Sequence, residues 1–543
     1  MIAMPKTTAI LSLLDEPAAS RNSATRAFRD QPVLAWTLSR LTQCAQVDSV
    51  ILLCWDDQQA AVQELAAQAG THVLVKSPRI PIAALDRISA AQRWSDGWRG
   101  GLQSTCCFDQ GFHAPYIQDA LAQDGTFGAE DLILLVDPSA ALVDPRLIDA
   151  LIAHANDHPH REFFFTQAAP GLAGVILRPA LLERLAQAAC HPGRLLAYSP
   201  DTPGLDPITN DMCVPVPAAL ARTTHRFTLD SDRQIQRFTA ATADLNGKLI
   251  SSNSETILAM LNAYPMNDSH PREVVVELTA RRASRPIFSP ATHLDLGRGD
   301  ISIESFQSIL AQVGGIDDLR FTLGGTGDPL LHPRFAEVLQ LVTEAEIPAV
   351  HIETDLLELS DAAVQALAAS RVDVLTVHLP AACATTYQRV MGVDGYVRVL
   401  ENLKRLLSAR RALPLIVPTI TKCRENLEEM EPWYDHWLRV LGNAVITGPS
   451  DYAGQIADVA VADMSPPRRR PCARLQSRMT LHSDGVIPSC EQDVLARQPM
   501  GHVTGDGLSK IWQHHFAALR DDHEFDRLHS RPICAACKEW HRP

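Results

Sequence analysis

Four cysteines near the C-terminus, Cys472, Cys490, Cys534 and Cys537, have the residue type and spacing to share one metal centre. Cys534 and Cys537 form a Cys-x2-Cys pair. Cys472 and Cys490 flank Asp484-Gly485, which reads as a hairpin turn that brings the two thiols to neighbouring positions. On spacing alone two cysteine pairs suit tetrahedral zinc, and four thiols without metal are the plain structural alternative. The remaining eight of the twelve cysteines (Cys44, Cys54, Cys106, Cys107, Cys190, Cys213, Cys383, Cys423) lack ligand-like spacing, apart from the adjacent pair Cys106-Cys107, and read as buried free thiols.

Two further sets of residues could do chemistry. In the middle of the chain, VVVELTARRASRPIFSP carries Arg281, Arg282 and Arg285 past a strand, LGGTGDPLLHPRF carries Gly325, Gly327 and Asp328, and HIETD carries Glu353. All follow or end apolar strand-like runs, and the C-terminal ends of strands are where α/β proteins place ligands. In the N-terminal half, SRNSATRAF supplies Arg21 and Arg26, LLVDPSAAL supplies Asp137, and RFTLDSDRQ supplies Asp230 and Asp232. A lone Asp at a strand end serves most often as a helix N-cap.

These residues must be positioned by alternating strands and helices. Residues 1–230 alternate TTAILSLL, VDSVILLCW, THVLVK, DLILLVD and REFFFTQ with helical stretches, which predicts a mainly parallel sheet covered on both faces. A polar helical stretch over 231–270 reads as a bridge. From 271 to 465 six strands (VVVELTA, LRFTLGG, AVHIETD, VDVLTVHLP, LPLIVPTITK, AVITGPS) alternate with amphipathic helices, as in a partial (βα)6 barrel. Residues 466–543 lose that rhythm and form the cysteine-bearing tail.

The order of these motifs along six strands resembles the radical S-adenosylmethionine (SAM) enzymes over about 190 residues. Gly325-Thr326-Gly327-Asp328-Pro329 is similar to the family's Gly-x-Gly-Glu-Pro, and Glu353-Thr354-Asp355-Leu356 to its Glu-Thr-Asn-Gly. The resemblance implies a SAM-type pocket at Gly325, Gly327, Asp328, Glu353 and Arg282. Yet the family's Cys-x3-Cys-x2-Cys positions fall on Arg282, Pro286 and Ser289, which cannot ligate a cubane as three thiolates do. Reductive SAM cleavage is therefore not expected, and His378 and Pro380 in place of the family's usual Ser and Asp weaken SAM binding further. The tail resembles the SPASM domain of such enzymes, through Cys-x12-Gly-x4-Cys, Gly-His-Val, Ile-Trp and the last Cys-x2-Cys. That resemblance favours one [4Fe–4S] cluster at Cys472, Cys490, Cys534 and Cys537, with zinc the alternative. The N-terminal half resembles sugar- and CMP-activating nucleotidyltransferases, although the glycine-rich phosphate loop is replaced by LLDEPAAS. It implies nucleotide phosphates at Arg21 and Arg26 and Mg²⁺ at Asp137 with Asp230 or Asp232.

The net charge of −14 argues against a nucleic-acid partner, no run has the apolar length of a membrane span, and the N-terminus lacks signal-peptide architecture. The expectation is a cytoplasmic α/β protein acting on a small-molecule or peptide substrate. Two functions stand: a cluster-bearing radical-SAM-like protein used for recognition or electron relay, or a Mg-dependent nucleotidyl- or glycosyltransferase working through the N-terminal domain.

Overall fold

The computed structural model describes residues 5–542 apart from 17–21, 78, 80–82, 96–113, 125–126, 189–191, 205–206 and 265–267. Arg21, Cys106, Cys107 and Cys190 thus lie outside the described residues. The chain divides into two compact units, Met1–Gln92 with Ser104–Pro265 and Arg93–Gln103 with Met266–Pro543. No helix among the described residues is long and apolar enough to cross a membrane.

Among its described residues the first unit carries a seven-stranded sheet: β1 (Thr7–Ser12), β2 (Ser49–Trp55), β3 (His72–Lys76), β4 (Leu132–Leu135), β5 (Phe163–Thr166), β6 (Val175–Leu177) and β7 (Cys213–Val214). The order is β3-β2-β1-β4-β6-β5-β7, with β6 antiparallel to its two neighbours and the other pairs parallel. Near-continuous apolar runs are required because both faces are buried. Ala9 and Leu11 pack with Leu52 and Leu134 on one face, and Ile10 packs with Ile51 and Ile133 on the other. Helices on both faces make three layers.

The stretch 231–264, expected as a bridge, belongs to this unit. Helices Asp232–Ala241 and Ser254–Ala263 place Phe238, Ile257 and Leu261 in one cluster with Phe28, Phe227 and Leu229. Its few apolar residues recur on one helical face, and that narrow stripe is enough to dock it.

The second unit is built on parallel strands β8 (Glu273–Val276), β9 (Arg320–Leu323), β10 (Ala349–Thr354), β11 (Val374–His378), β12 (Leu415–Thr421), β13 (Val445–Thr447) and β14 (Arg478–Leu481), ordered β13-β12-β11-β10-β9-β8-β14. The first six match the strands expected from sequence. The seventh comes from the tail, pairing in parallel with β8 from Glu273↔Arg478 to Val276↔Leu481. The tail is therefore an edge of the same sheet, and the expected boundary at 465 does not separate compact units.

Alternation along these strands curls the sheet. Val274, Val276, Phe321, Leu323, Ile352, Leu375, Val377 and Ile416 face the surrounding helices. Their neighbours Val275, Thr322, His351, Thr376, Thr419 and Thr480 line a single cavity, as do residues of both edge strands. One face of a seven-stranded sheet can surround a common cavity only if the sheet is curved, so the unit is an open barrel.

Candidate functional site

The loop after β8 is where the resemblance would place a cluster. Arg282 instead reaches across to the loop after β10 and grips Asp355, Nε to Oδ2 at 2.8 Å and Nη2 to Oδ1 at 2.7 Å. The Ser284 hydroxyl donates to the same carboxylate. Behind it Asp328 Oδ2 accepts from Thr354 Oγ1 at 2.9 Å and the Asp355 amide at 3.0 Å, and Oδ1 accepts from the Leu330 amide at 3.0 Å. Burial, then the Asp355 charge beside it, pushes the Asp328 carboxyl up to about 6. Burial would also raise Asp355, but the Arg282 charge and hydrogen bonds hold it below the ordinary carboxylate range. Asp328, Asp355 and Arg282 thus form a closed network under the loop. Of the other two family positions, Pro286 is buried and Ser289 Oγ is buried without a hydrogen-bond partner among the described residues.

The glycines expected to admit a ligand's approach admit the chain itself. A Cβ on Gly327 would lie 2.1 Å from the Thr279 carbonyl oxygen, and one on Gly325, at φ +109°, would lie 3.3 Å from Glu277 Cβ. Glu277 is held by Arg298 at 2.5 and 3.0 Å, by the Thr326 amide at 3.1 Å and by the Ser483 hydroxyl at 3.1 Å. Burial alone would raise its pKa, and Arg298 brings it below the usual value instead.

The barrel encloses a cavity of about 310 Å³, lined by Arg282, Gly325 and Glu353 from the expected pocket and by Thr326 between its glycines. Gly327 and Asp328 are not on its lining. Trp94 contributes one wall, with its ring 5.3 Å from His351 and its Nε1 donating to Asp373 Oδ2 at 3.3 Å. Tail residues Glu491, Gln492, Glu539 and Arg542 also line the cavity. Arg478 bridges Glu273 at 3.1 Å and Glu491 at 2.9 Å, and Arg474 also meets Glu491 at 2.9 Å. The sequence carried a signal for this site: polar residues recurring on one face of strands otherwise read as buried, such as Glu273 and Glu277, His351-x-Glu353 and Thr419-x-Thr421.

The four tail cysteines are neighbours. Burial first, then the charges of Cys534, Cys537 and Cys472, drive Cys490 well above the ordinary thiol value. Burial, then Cys472 and Cys537, pushes Cys534 to about 12. The Glu539 amide donates to Cys537 Sγ at 3.2 Å, and the Gln492 amide supports Cys490 in the same i+2 relation. Arg469 donates to the carbonyl of Cys534 and, at 3.4 Å each, to those of Ala535 and Cys537. Buried thiols that raise one another's pKa fit a cation that would neutralise their thiolates. Among the described residues, however, no three His, Cys, Asp or Glu side chains are drawn together as a finished metal site.

In the first unit Asp137 follows β4 and accepts from the Ser139 amide at 2.7 Å and hydroxyl at 2.6 Å. Burial raises its pKa, the Ser139 bonds oppose this, and Asp230 adds to it. Asp137 and Asp230 therefore share one electrostatic neighbourhood, while Asp232 turns to Arg26 at 3.3 Å. Sequence reasoning missed Glu16, which follows β1, accepts from the Ser23 amide at 2.9 Å, and is pushed by burial to about 8 with Asp15 and Asp137 contributing. The strand order reverses between β1 and β4, and crevices at such reversals are where open α/β sheets bind ligands.

No family model matches the chain. An uncharacterised protein of Treponema pallidum (strain Nichols) is 25% identical over 336 residues, spanning 57% of this chain and 86% of its own. Among solved structures, SuiB of Streptococcus suis bound to its precursor peptide SuiA overlaps 55% of this chain and 74% of its own at 14% identity and TM-score 0.41. BtrN in complex with AdoMet and 2-DOIA overlaps 49% and 92% at 14% identity and TM-score 0.34. A cytidylyltransferase of Leptospira borgpetersenii overlaps 48% and 94% at 14% identity and TM-score 0.33.

Proposed function

We propose that the second unit is a recognition module on a radical-SAM-like barrel that no longer cleaves SAM reductively. The observation that carries this reading is the buried two-pronged pair of Arg282 with Asp355, standing where the chemistry requires a thiolate. Arginine offers iron no lone pair, and its fork is already spent on a carboxylate. The tail thiols Cys472, Cys490, Cys534 and Cys537 would hold one [4Fe–4S] cluster, or zinc in the alternative. Four thiolates leave no open iron for substrate, so such a cluster would supply folding energy or electron transfer. The experiment is anaerobic reconstitution with iron and sulfide followed by incubation with dithionite and SAM. We expect no 5′-deoxyadenosine above the reagent blank, and its formation would overturn the reading.

A second reading, a Mg-dependent nucleotidyl- or glycosyltransferase working through the first unit, is favoured by one observation. Glu16 and Asp137 follow the two strands that flank the reversal of the sheet, and Asp230 lies in the field of Asp137. Carboxylates whose burial disfavours their charge are suited to a divalent cation.

A further inference from the structure

We infer that the cavity of the open barrel binds an uncharged polyhydroxylated ligand, a sugar of one or two rings. The inference rests on the reading of the second unit as a recognition module and names its ligand chemistry. At about 310 Å³ the cavity is at the small end of ligand sites.

The lining arginines are matched internally. Each of its four arginines holds a different carboxylate: Arg282 with Asp355, Arg474 with Glu491, Arg478 with Glu273, and Arg542 with Glu539. Glu277 is matched by Arg298. A phosphate or carboxylate ligand would have to break one of these pairs to gain a clamp, at the cost of leaving a buried charge alone. The histidines add no charge near neutral pH, because burial holds His351 down to about 3 and His378 to about 4. His351 spends its two ring nitrogens on Thr322 Oγ1 at 3.3 Å and Thr376 Oγ1 at 2.8 Å, which orients those hydroxyls, and a neutral His378 imidazole has one donor and one acceptor, as a hydroxyl ligand requires.

Hydroxyls come from several strands at once: Thr322 of β9, Thr376 of β11, Thr419 and Thr421 of β12 and Thr480 of β14. Two lining hydroxyls, Thr419 Oγ1 and Ser289 Oγ, are buried with no hydrogen-bond partner among the described residues. Buried polar groups are normally satisfied, so exceptions on a cavity wall point to what the cavity takes. Trp94, 2% exposed and fixed through Asp373, adds a rigid aromatic surface for the C–H face of a sugar ring. The carboxylate of SAM or of an amino acid would meet only arginines that already hold a carboxylate.

Saturation-transfer NMR on the full-length protein tests this, with D-glucose, N-acetylglucosamine and trehalose as probes and SAM and L-glutamate as charged comparators. We expect transfer to the ring protons of at least one sugar, with affinity about tenfold weaker in the double variant Thr419→Val/Ser289→Ala. Both substitutions nearly preserve side-chain volume, and a matching circular dichroism spectrum confirms the fold. Absence of transfer to all three sugars, transfer unchanged in the double variant, or binding of the charged comparators alone would each overturn the inference. Formation of 5′-deoxyadenosine would instead overturn the reading beneath it, so the two failures are separable.

Discussion

Arg282 and Asp355 face one another through two hydrogen bonds of 2.8 and 2.7 Å, with their side chains 11% and 1% exposed. Breaking a buried pair by removing one partner leaves an uncompensated charge and costs about 3–5 kcal/mol. Arg282→Met is therefore expected to lower the stability of the second unit by that order, measured by urea unfolding followed through tryptophan fluorescence. The double variant Arg282→Met/Asp355→Leu should recover much of the loss, because it removes the stranded charge as well. A single variant as stable as the parent would show that the pair does not hold the loop.

Asp328 next to this pair gives the stability a pH dependence. Its folded pKa of about 6 lies above its ordinary 3.8. Between those values the folded state binds more protons at this carboxyl than the unfolded state does. Its contribution is therefore fully present below the ordinary value and is lost as pH rises through about 6. Asp355, held low by Arg282, runs the other way and loses its contribution in acid. Asp328→Asn does not ionise, so the difference in Tm between this variant and the parent should move in the variant's favour as pH rises from 4 to 7. A pH-independent difference would remove Asp328 as the titrating group.

Much of this was legible in the sequence because apolar periodicity is a local property. VVVELTA, AVHIETD and VDVLTVHLP announce strands, and the spacing of glycines and Asp328 places their loops. What escaped is what long-range pairing decides. Nothing local to Arg282 says that its partner is Asp355, on the loop of a strand two places along the sheet. Nothing local to RMTL says that it adds a seventh strand beside β8. Glu16 was invisible for a related reason: its importance comes from burial next to Asp137, residues far apart in the chain. The cavity was half legible, since the alternating Thr and His positions were printed in the strands but their common destination depends on sheet curvature.

For the first unit, the placement of Glu16 and Asp137 predicts a cation-dependent ligand. Thermal-shift measurements with CTP or UDP-glucose should show stabilisation that requires Mg²⁺, because binding to the folded state alone raises Tm. Asp137→Ala should abolish it, and Glu16→Gln should weaken it. Asp232→Asn should have a smaller effect, since that side chain is 61% exposed and turned to Arg26. Stabilisation that survives in Asp137→Ala would move the ligand away from the β1/β4 reversal.

Two tail cysteines, Cys490 and Cys537, stand within two residues of side chains on the cavity wall, and this links metal content to that wall. Glu491 and Gln492 line the cavity directly after Cys490, and Glu539 lines it two residues after Cys537. The amides of Gln492 and Glu539 are the donors to those two sulfurs. A metal that fixes the thiolates would therefore also fix the side chains that Arg474, Arg478 and Arg542 pair with. Cys490→Ala and Cys537→Ala should each lose the metal, measured as iron and zinc per chain, and should speed hydrogen exchange at residues 486–494. Cys423→Ala should change neither, because that thiol is buried at the end of β12 and burial keeps it protonated, with its pKa pushed to about 12. Four irons with a broad visible absorbance would support the cluster, and one zinc without iron would keep the site while replacing its metal. Metal retained in both cysteine variants, with unchanged exchange, would dissociate these thiols from any metal centre and from the wall of the cavity.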